Sequence, residues 1–372
     1  MGALTACAVL AVLVLGGAGD RERAPDLVYG SWLSAHNPTL AVTMSAYSDA
    51  VDKTTDGKVK IRTLAGSQVV TGPESLDATR VGLVDAGHVI ASYTPKQLPA
   101  TYLIFKTLVP SANDVAISGA LMETILLHCP QCIEEYKANN GVVFAGFSVQ
   151  PYYLMCTTPI RTVGDVKGLK VRATGTARAI VEAVGATPVG MDVADSVTAM
   201  ERGIVDCTMA SYAWLINFGY IDVVSHILDR PLGASGPSIP FFLNRQAWNG
   251  MSQKNRKIML QKAALIVAIE TLDAQRGAIR KARSAVEERG LDLVEGGDDF
   301  VRIVNGFASR QRKINIQIAR ENGVRDPEKI LAAYDAALSK WRRLSEEIGD
   351  DRDVFVNVLN REIYDKLSPD QI

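Results

Sequence analysis

The strongest constraint on the fold is a pattern that occurs twice, in which short apolar strand segments alternate with amphipathic helical segments. In the first copy the strand segments are LVYGSW at 27–32, KVKIRTL at 58–64 and VDAGHVI at 84–90, and helical spacing fills 40–51 and 74–83. Strands that alternate with helices in this way form parallel sheets with helices on both faces. The pattern therefore predicts a β-α-β-α-β unit in this part of the chain.

The second copy of the pattern spans residues 168–210. Its strand segments GLKVRA, ATPVGM and IVDCTMA alternate with the helical segments TARAIVEAV and VADSVTAMER, which end at Gly185 and Gly203. A chain of 372 residues, of which 47% are hydrophobic, can bury two cores. We therefore predict an α/β fold with two domains, each a mostly parallel sheet flanked by helices.

Helical spacing dominates the rest of the chain. A pattern with few helix breakers runs from residue 252 to Gly290, and two more follow at 298–322 and 327–347. We expect these helices to brace the two α/β units against each other.

The first 19 residues carry no charge, and their apolar run at 8–15 ends in small residues. This composition is typical of a secretory signal peptide that is cleaved near Ala18, although the basic residues that usually precede the apolar run are missing. An N-terminal membrane anchor is the alternative, but the run is shorter than the ~20 apolar residues that a spanning helix needs. We predict that residues 1–19 are an atypical signal peptide and that the protein is exported.

The charge balance argues against one class of partner. Lys and Arg number 40, Asp and Glu number 41, and the formal net charge is -1. Proteins that bind nucleic acid usually present a broad basic surface, which this balance does not supply. A nucleic-acid partner is therefore not expected.

Arg172 stands at the carboxyl end of the strand segment GLKVRA, where open α/β sheets bind their ligands. A buried guanidinium is costly unless it has an acidic partner or an anionic ligand. The turn at 174–176 opens a helix, and the free N–H groups of a helix start also favour an anion. A bound carboxylate and an ion pair with Asp206 on the neighbouring strand both fit these features. Arg62 occupies the matching place in the first unit, and spacing alone does not separate the two arginines.

Sequence signatures of catalysis are missing. The chain has no G-x-S-x-G, H-E-x-x-H, P-loop or dinucleotide-binding glycine motif, and its four histidines, at 36, 88, 128 and 226, are widely separated. We therefore predict no catalytic residues, no metal site and no cofactor.

Aromatic residues gather near the predicted strand ends. These residues are Trp32, Tyr93, Tyr152, Tyr153, Tyr212 and Trp214. Core packing is their ordinary role, and a ligand pocket is the alternative. Trp214, just after the strand segment IVDCTMA, is the preferred wall of such a pocket.

Four cysteines follow the predicted signal peptide: Cys129, Cys132, Cys156 and Cys207. An even number in an exported protein permits disulfides, but sequence does not reveal the pairing. The C-x-x-C of Cys129 and Cys132 is compatible with a local disulfide, a redox pair or half a zinc site, although no second pair completes a zinc set. The alternative function is therefore an exported thiol-disulfide oxidoreductase that uses these two cysteines.

The segment 165–211 resembles the solute-binding proteins of tripartite ATP-independent periplasmic (TRAP) transporters, a family that includes C4-dicarboxylate binders. It contains the family's D-x-K-G-x-K-x-R, G-A-x-P-V and G-x-V-D motifs in the same order. The segments 30–68 and FFLNRQAWNGMS at 241–252 are also similar to the family. The resemblance implies a two-lobe clamshell with a long helix that crosses both lobes and with extra C-terminal helices.

The lobe boundaries follow from this resemblance. Lobe I is expected to comprise 26–150 plus about 237–270, and lobe II to comprise 151–236 plus about 271–372 with the bracing C-terminal helices. The resemblance also implies a monomer, or a homodimer through those helices. The expected location is the periplasm of a Gram-negative bacterium.

The resemblance implies binding without catalysis: the protein closes on an organic acid and delivers it to a membrane permease. Arg172 matches the family arginine that pairs with the ligand carboxylate, which selects it over Arg62. Contacts from the other lobe must complete the site. The candidates for these contacts and for the rest of the pocket are Trp32, His36, His88, Tyr93, Tyr152 and Ser211.

One departure from the family bears on the ligand. Many members carry Asn and Pro just after the V-D strand, where this chain has Ala210 and Ser211. A second polar contact is therefore lost or comes from elsewhere, with Asn244 as the candidate. This change and the available aromatic residues favour an acid with an apolar or aromatic portion over a plain C4-dicarboxylate.

Overall fold

Two six-stranded β-sheets organise the protein. The computed structural model describes residues 26–109, 113–295 and 297–372, without the side chains of residues 176, 308 and 309. The predicted signal peptide, residues 1–19, lies outside the described residues. The strands are β1 (Asp26–Ser31), β2 (Lys60–Ala65), β3 (Ala86–Ile90), β4 (Gly141–Val143), β5 (Phe147–Val149), β6 (Tyr153–Cys156), β7 (Lys170–Arg172), β8 (Thr187–Val189), β9 (Cys207–Ala210), β10 (His226–Leu228), β11 (Ser235–Asn244) and β12 (Asp292–Val294).

Helices cover both sheets. The α-helices are α1 (Ser45–Thr54), α2 (Ser75–Arg80), α3 (Pro99–Phe105), α4 (Asp114–Glu123), α5 (Pro130–Ala138), α6 (Gly175–Ala183), α7 (Val193–Glu201), α8 (Tyr212–Asn217), α9 (Arg245–Asn249), α10 (Gln253–Ala268), α11 (Arg276–Arg289), α12 (Asp298–Glu321), α13 (Pro327–Ile348) and α14 (Arg352–Glu362). Three further segments are π-helical: Thr39–Met44, Thr124–His128 and Ile269–Gln275. Short 3₁₀ turns occur at Val163–Val166, Tyr220–Asp222 and Tyr364–Lys366.

The two sheets confirm the predicted α/β fold. The first has the strand order β2-β1-β3-β11-β4, with β5 also paired to β11, and the second has the order β12-β10-β6-β9-β7-β8. Strands of each predicted β-α-β-α-β unit are parallel, as expected. Both sheets are nevertheless mixed, because β11 in the first and β6 in the second are antiparallel to their neighbours.

The predicted strand segments lie close to the observed strands, and the largest shift has a simple cause. The segment IVDCTMA was predicted to begin a strand at residue 204, whereas β9 begins at Cys207. Ile204 is 50% exposed and precedes the strand. The first hydrogen bond to β7 comes from the Asp206 backbone N–H, which donates to Lys170 O. The strand pairing therefore begins next to Cys207 and does not include Ile204.

A long helical run crosses from the first sheet to the second. It consists of α10, the π-helical segment Ile269–Gln275 and α11, without an intervening loop. α10 packs against α1 and α14 beside the first sheet, whereas α11 packs against α8 of the second. The predicted long helix is therefore present, and its middle carries the π-helical segment.

The last two helices, α13 and α14, pack beside the first sheet, although the sequence prediction grouped them with lobe II. α13 packs against α4, and α14 packs against α10. The cause is a buried apolar face on α13 that includes Tyr334 and Trp341. Trp341 approaches α4 so closely that a Cβ on Gly119 would lie 2.2 Å from its ring. This packing uses an apolar face within one chain and gives no support to a homodimer through these helices.

Within the described residues the chain passes between the two halves four times: between β5 and β6, between β10 and β11, through the long helical run, and through α12 on its way from β12 to α13. Few connections of this kind permit hinge motion between two packed bodies. In the described part of the chain no single helix is long and apolar enough to cross a membrane, although the bent pair Asp114–His128 and Pro130–Ala138 passes that test jointly.

Candidate functional site

A cavity with an empty volume of ≈ 520 Å³ lies between elements of the two sheets. Its aromatic lining residues are Trp32, Tyr93, Phe147, Trp214 and Phe218. Its polar lining residues are Asn37, Thr39, His88, Asn217, Ser238 and Gln275. An apolar cavity with a few polar groups is the usual form of a small-molecule site.

The two halves of the molecule meet at this cavity. Trp32 follows β1 of the first sheet, and Phe218 follows α8 of the second. Their rings stack with centroids 6.2 Å apart and planes 13° apart. A ligand in the cavity therefore touches both halves.

Arg172 is the last residue of β7, between β8 and β9. Its exposed fraction is only 2%. Nε and Nη2 donate to the backbone oxygen of Met191 at 3.2 Å and 2.9 Å. The guanidinium also lies over the Trp214 ring, with Cζ 5.6 Å from the ring centroid. Arg172 is not itself a lining residue of the cavity, whereas Trp214 is.

The guanidinium of Arg172 lacks a carboxylate partner among the residues that the structure describes. Asp206, the alternative partner, instead accepts the Lys170 backbone N–H at 2.8 Å. Two of the five N–H groups of Arg172 are used by Met191. A buried cation with no counter-charge is costly, and the remaining N–H groups suit an anion.

The turn after Arg172 has the predicted geometry. α6 begins at Gly175, whose φ of 56° is left-handed. A Cβ at this position would lie 2.7 Å from the Phe105 ring, beside the first sheet. Glycine therefore allows the helix start that follows the Arg172 strand to approach the opposite half of the molecule.

Aromatic side chains enclose Trp214 and Arg172. Tyr152 meets Trp214 edge to face at 6.1 Å and shares a 3.2 Å hydrogen bond with Ser235 Oγ. Tyr93 lines the cavity and lies edge to face with Trp32 at 6.4 Å. Burial raises the pKa of Tyr93 to about 12 and also raises that of Tyr152, so both phenols are neutral. Tyr152 thus supports the Trp214 wall from behind.

His88 is a neutral polar group on the cavity. Its side chain is buried, and Nε2 lies 2.8 Å from Ser238 Oγ. Burial lowers the pKa of His88 to about 3, because desolvation penalises the imidazolium. No described residue is hydrogen-bonded to Nδ1. Its backbone oxygen accepts the Trp32 indole N–H at 3.2 Å, which fixes that ring.

Three predicted site residues have other surroundings. His36 is exposed and does not line the cavity. Asn244 caps the start of α9, where Oδ1 accepts two backbone N–H groups and Nδ2 donates to Thr79 O. All its polar atoms are occupied, because a helix start needs acceptors for its free N–H groups. Ser211 is buried at the start of α8, and its Oγ has no hydrogen-bond partner within the described residues.

Several cavity residues were missed in the sequence. Asn217 lines the cavity and supplies an amide seven residues after Ala210. Ser238 lies on β11, which contains two prolines and is buried along its whole length. Proline disfavours strand prediction, so no signal marked this strand. Gln275 lies within a long helix and carries no local motif.

The cysteines form two disulfides. Cys129 pairs with Cys132, and Cys156 pairs with Cys207 across β6 and β9. Among the alternatives that the sequence left open for Cys129 and Cys132, the structure has the local disulfide. Cys129 and Cys132 are 1% and 0% exposed, which denies a partner thiol access to their sulfurs. Over the residues described here, no group of three or more His, Cys, Asp or Glu side chains is arranged to hold a metal ion.

Comparison with known proteins places this geometry in a family. Residues 29–298 match the family model described as bacterial extracellular solute-binding protein, family 7 (DctP). A monocarboxylate 2-oxoacid-binding periplasmic protein of Nostoc sp. strain PCC 7120 is 25% identical over 315 residues, which cover 80% of this chain and 78% of that protein.

Solved structures show the same fold. A TRAP periplasmic solute-binding protein from Bordetella bronchiseptica with bound (R)- and (S)-mandelate has a TM-score of 0.73 and 23% identity, and the match covers 85% of this chain and 99% of that one. A marine metagenome TRAP solute-binding protein specific for aromatic acid ligands, in complex with 3-hydroxybenzoate, has a TM-score of 0.74 and 22% identity and covers 85% and 98%. With the family model spanning most of the chain, these similarities confirm the resemblance seen in the sequence: the chain belongs to family 7 of the bacterial extracellular solute-binding proteins, the DctP-type solute-binding proteins of TRAP transporters.

Proposed function

We propose that the protein is the periplasmic substrate-binding subunit of a TRAP transporter that captures an organic acid by its carboxylate and delivers it to a membrane permease. The observation that carries this proposal is the buried Arg172 guanidinium, which lies against Trp214 and lacks a carboxylate partner among the described residues. A planar guanidinium binds a carboxylate through two parallel hydrogen bonds. We also propose export to the periplasm of a Gram-negative bacterium, which family membership and the predicted signal peptide at 1–19 support.

The carboxylate reaches Arg172 beside Trp214, whose ring lines the cavity and lies against the guanidinium. Trp214 lies on α8, and α8 packs against α11 of the long helical run. A ligand that touches Arg172 on one side and Trp32 on the other stabilises the closed arrangement of the two lobes. We propose the lobes as predicted, 26–150 plus about 237–270 and 151–236 plus about 271–372, but with 327–372 packed on lobe I.

The cavity lining supports an acid with an aromatic or apolar portion. Five aromatic rings line it, and the lining histidine, His88, is neutral. The described lining residues include no Lys or Arg. A plain C4-dicarboxylate would need a second cation besides Arg172 for its second carboxylate. The mandelate and 3-hydroxybenzoate bound by the two structural relatives are acids of this class.

A thermal-shift screen tests the proposal. The protein from residue 20 to 372 is heated with benzoate, phenylacetate, mandelate, pyruvate and succinate, and the screen is repeated with Arg172→Ala and with the matched control Arg62→Ala. A ligand at a hundred times its dissociation constant adds about 2.7 kcal/mol of stability. We expect an aromatic acid to raise the melting temperature of the wild type and of Arg62→Ala only. Equal shifts in Arg172→Ala, or no shift with any acid, would refute the proposal.

A further inference from the structure

Glu270 is a buried carboxylate in the middle of the long helical run. Its exposed fraction is 0%, and no described Lys, Arg or His lies within ion-pair distance. Three neutral groups donate to it instead: Thr39 Oγ1 at 2.9 Å, Thr43 Oγ1 at 2.6 Å and Gln275 Nε2 at 2.6 Å. Burial raises the pKa of Glu270, and these three hydrogen bonds oppose that rise. The carboxylate thus organises a closed polar network in an apolar surrounding.

This network joins two irregular helical segments at the cavity. Thr39 and Thr43 lie in the π-helical segment Thr39–Met44, and Glu270 and Gln275 lie in Ile269–Gln275. The two segments pack against each other. Thr39 and Gln275 both line the cavity, so two of the three side chains that Glu270 holds also face a ligand. Irregular turns of this kind often occur at functional sites.

The direction of each hydrogen bond fixes what the cavity offers. A threonine hydroxyl has one proton, and Thr39 gives that proton to Glu270, so only its lone pairs remain. Gln275 donates to Glu270 through Nε2 and lines the cavity. Its carbonyl Oε1 therefore remains available to accept a hydrogen bond from a ligand. Asn37 accepts the Thr39 backbone N–H through Oδ1 and keeps its amide Nδ2 as a donor. The cavity lining next to Glu270 therefore offers two acceptors, on Thr39 and Gln275, beside one donor, on Asn37.

We propose that Glu270 orients Thr39 and Gln275 as hydrogen-bond acceptors and thereby makes the protein selective for carboxylic acids that carry a hydroxyl group. A hydroxyl matches this set, because it donates to Gln275 Oε1 and accepts from Asn37 Nδ2. An unsubstituted ring leaves these buried groups unpaired, which is the usual way in which a site rejects an analogue that lacks a hydroxyl. The inference rests on the proposed function, since it assigns the substrate class of the same cavity. Glu270 is a positioning residue that acts through Gln275 and Thr39.

The test compares ligands that differ only in a hydrogen-bond donor. Calorimetry measures the dissociation constants of the three hydroxybenzoate isomers, the three fluorobenzoate isomers, mandelate and phenylacetate. We expect the wild type to bind at least one hydroxy acid about tenfold or more tightly than its counterpart without the donor, a ratio that corresponds to about 1.4 kcal/mol. In Gln275→Met, which keeps the side-chain length and removes the acceptor, this ratio falls to about twofold or less.

Glu270→Met tests the positioning role separately. Gln275 then loses the partner that fixes its amide, and we expect the hydroxyl preference to fall while the affinity for the fluorinated acids changes little. The matched control is Glu135→Gln, which alters another buried carboxylate that accepts from Ala100 N and Thr101 but does not line the cavity. Its effect falls on stability and leaves the preference unchanged. If Glu270→Met does not fold, the ratio in Gln275→Met decides.

Two outcomes overturn the inference and remain distinguishable. Acids that bind through Arg172 without a hydroxyl preference, or with a preference that survives in Gln275→Met, refute the selectivity and leave the proposed function intact. If none of the acids binds to the wild type, the proposed function fails and the inference fails with it.

Discussion

Arg62 and Arg172 share a local sequence pattern and differ in almost every physical property. Each follows a Lys and an apolar residue on a strand of a β-α-β-α-β unit. β2 lies at the edge of the first sheet, and Arg62 is exposed. β7 lies between β8 and β9, and Arg172 is 2% exposed beneath Trp214. The comparison shows that the position of a strand in its sheet, and not the motif, turns an arginine into a candidate anion site.

The largest expected effect comes from removing the buried charge. Arg172→Met should weaken binding of an aromatic acid at least about 100-fold, because the loss of one partner from a buried ion pair costs roughly 3–5 kcal/mol. In the absence of ligand, the free energy of unfolding should stay the same or rise, since the variant no longer buries an unpaired cation. Calorimetry and urea denaturation measure the two quantities. A variant that loses stability and keeps its affinity would show that Arg172 stabilises the fold and does not bind the ligand.

The second-largest effect is expected at Trp214, whose ring lies against Arg172 and not against Arg62. Trp214→Ala should reduce affinity about tenfold to 100-fold, because the ring forms a cavity wall and lies over the guanidinium. Trp214→Phe keeps a ring at this place and should recover most of the affinity. Fluorescence titration with the tightest-binding acid checks both variants. Equal affinity in Trp214→Ala and the wild type would show that the ring is only a packing residue.

The charge contrast across the cavity predicts a pH effect of intermediate size. Burial lowers the pKa of His88 from 6.5 to about 3, so below pH 6.5 the unfolded chain binds a proton that the folded protein does not. The free energy of unfolding should therefore fall as the pH drops from 6.5 towards 3, by up to about 1.4 kcal/mol per pH unit from this group. Urea denaturation at pH 7, 6 and 5 should show a weaker decline in His88→Gln than in the wild type.

The exposed His36 provides the control for this experiment. His36→Gln should leave the pH dependence of stability as it is in the wild type. An identical decline in His88→Gln and the wild type would contradict the assignment of a neutral buried imidazole.

Arg62 itself should give the smallest effect. Arg62→Met changes an exposed side chain on an edge strand, so the free energy of unfolding should shift by less than about 0.5 kcal/mol. The dissociation constant of the acid should stay within about twofold of the wild type. A substantial loss of binding in this variant would mean that the first unit contributes its own charge to the site.

Sequence patterns predicted the alternating units well, because their strands and helices have clear periods and glycine stops. The helix starting after Arg172 and the long helical run are observed as expected. Antiparallel strands such as β11 escaped, since Pro237 and Pro240 interrupt a segment that is buried on both faces. Several polar lining residues of the cavity were not predicted either. Asn37, Ser238 and Gln275 are distant in sequence, and only the packing of the two π-helical segments and β11 brings them together.

The structure gives Asn244 surroundings that differ from the predicted ones for a related reason. An asparagine at the end of a strand is equally suited to bind a ligand and to cap a helix. Here α9 begins at the next residue, and the side-chain oxygen of Asn244 accepts N–H groups of its first turn. The side-chain nitrogen donates to Thr79 O, so neither atom is available to a ligand in the cavity. Aromatic wall residues were easier to recognise, because Trp32 and Trp214 each follow a strand whose direction the alternating pattern sets.

Calorimetric titration of two lysine variants tests the central claim most directly. Arg172→Lys and Arg62→Lys both keep the charge and remove the planar fork of donors. Each is titrated with the acid that gives the largest thermal shift in the wild type. Our account predicts that Arg172→Lys loses most of the binding, at least about tenfold, while Arg62→Lys binds like the wild type. Equal affinities in the two variants would contradict the claim that a buried guanidinium on β7 holds the ligand carboxylate.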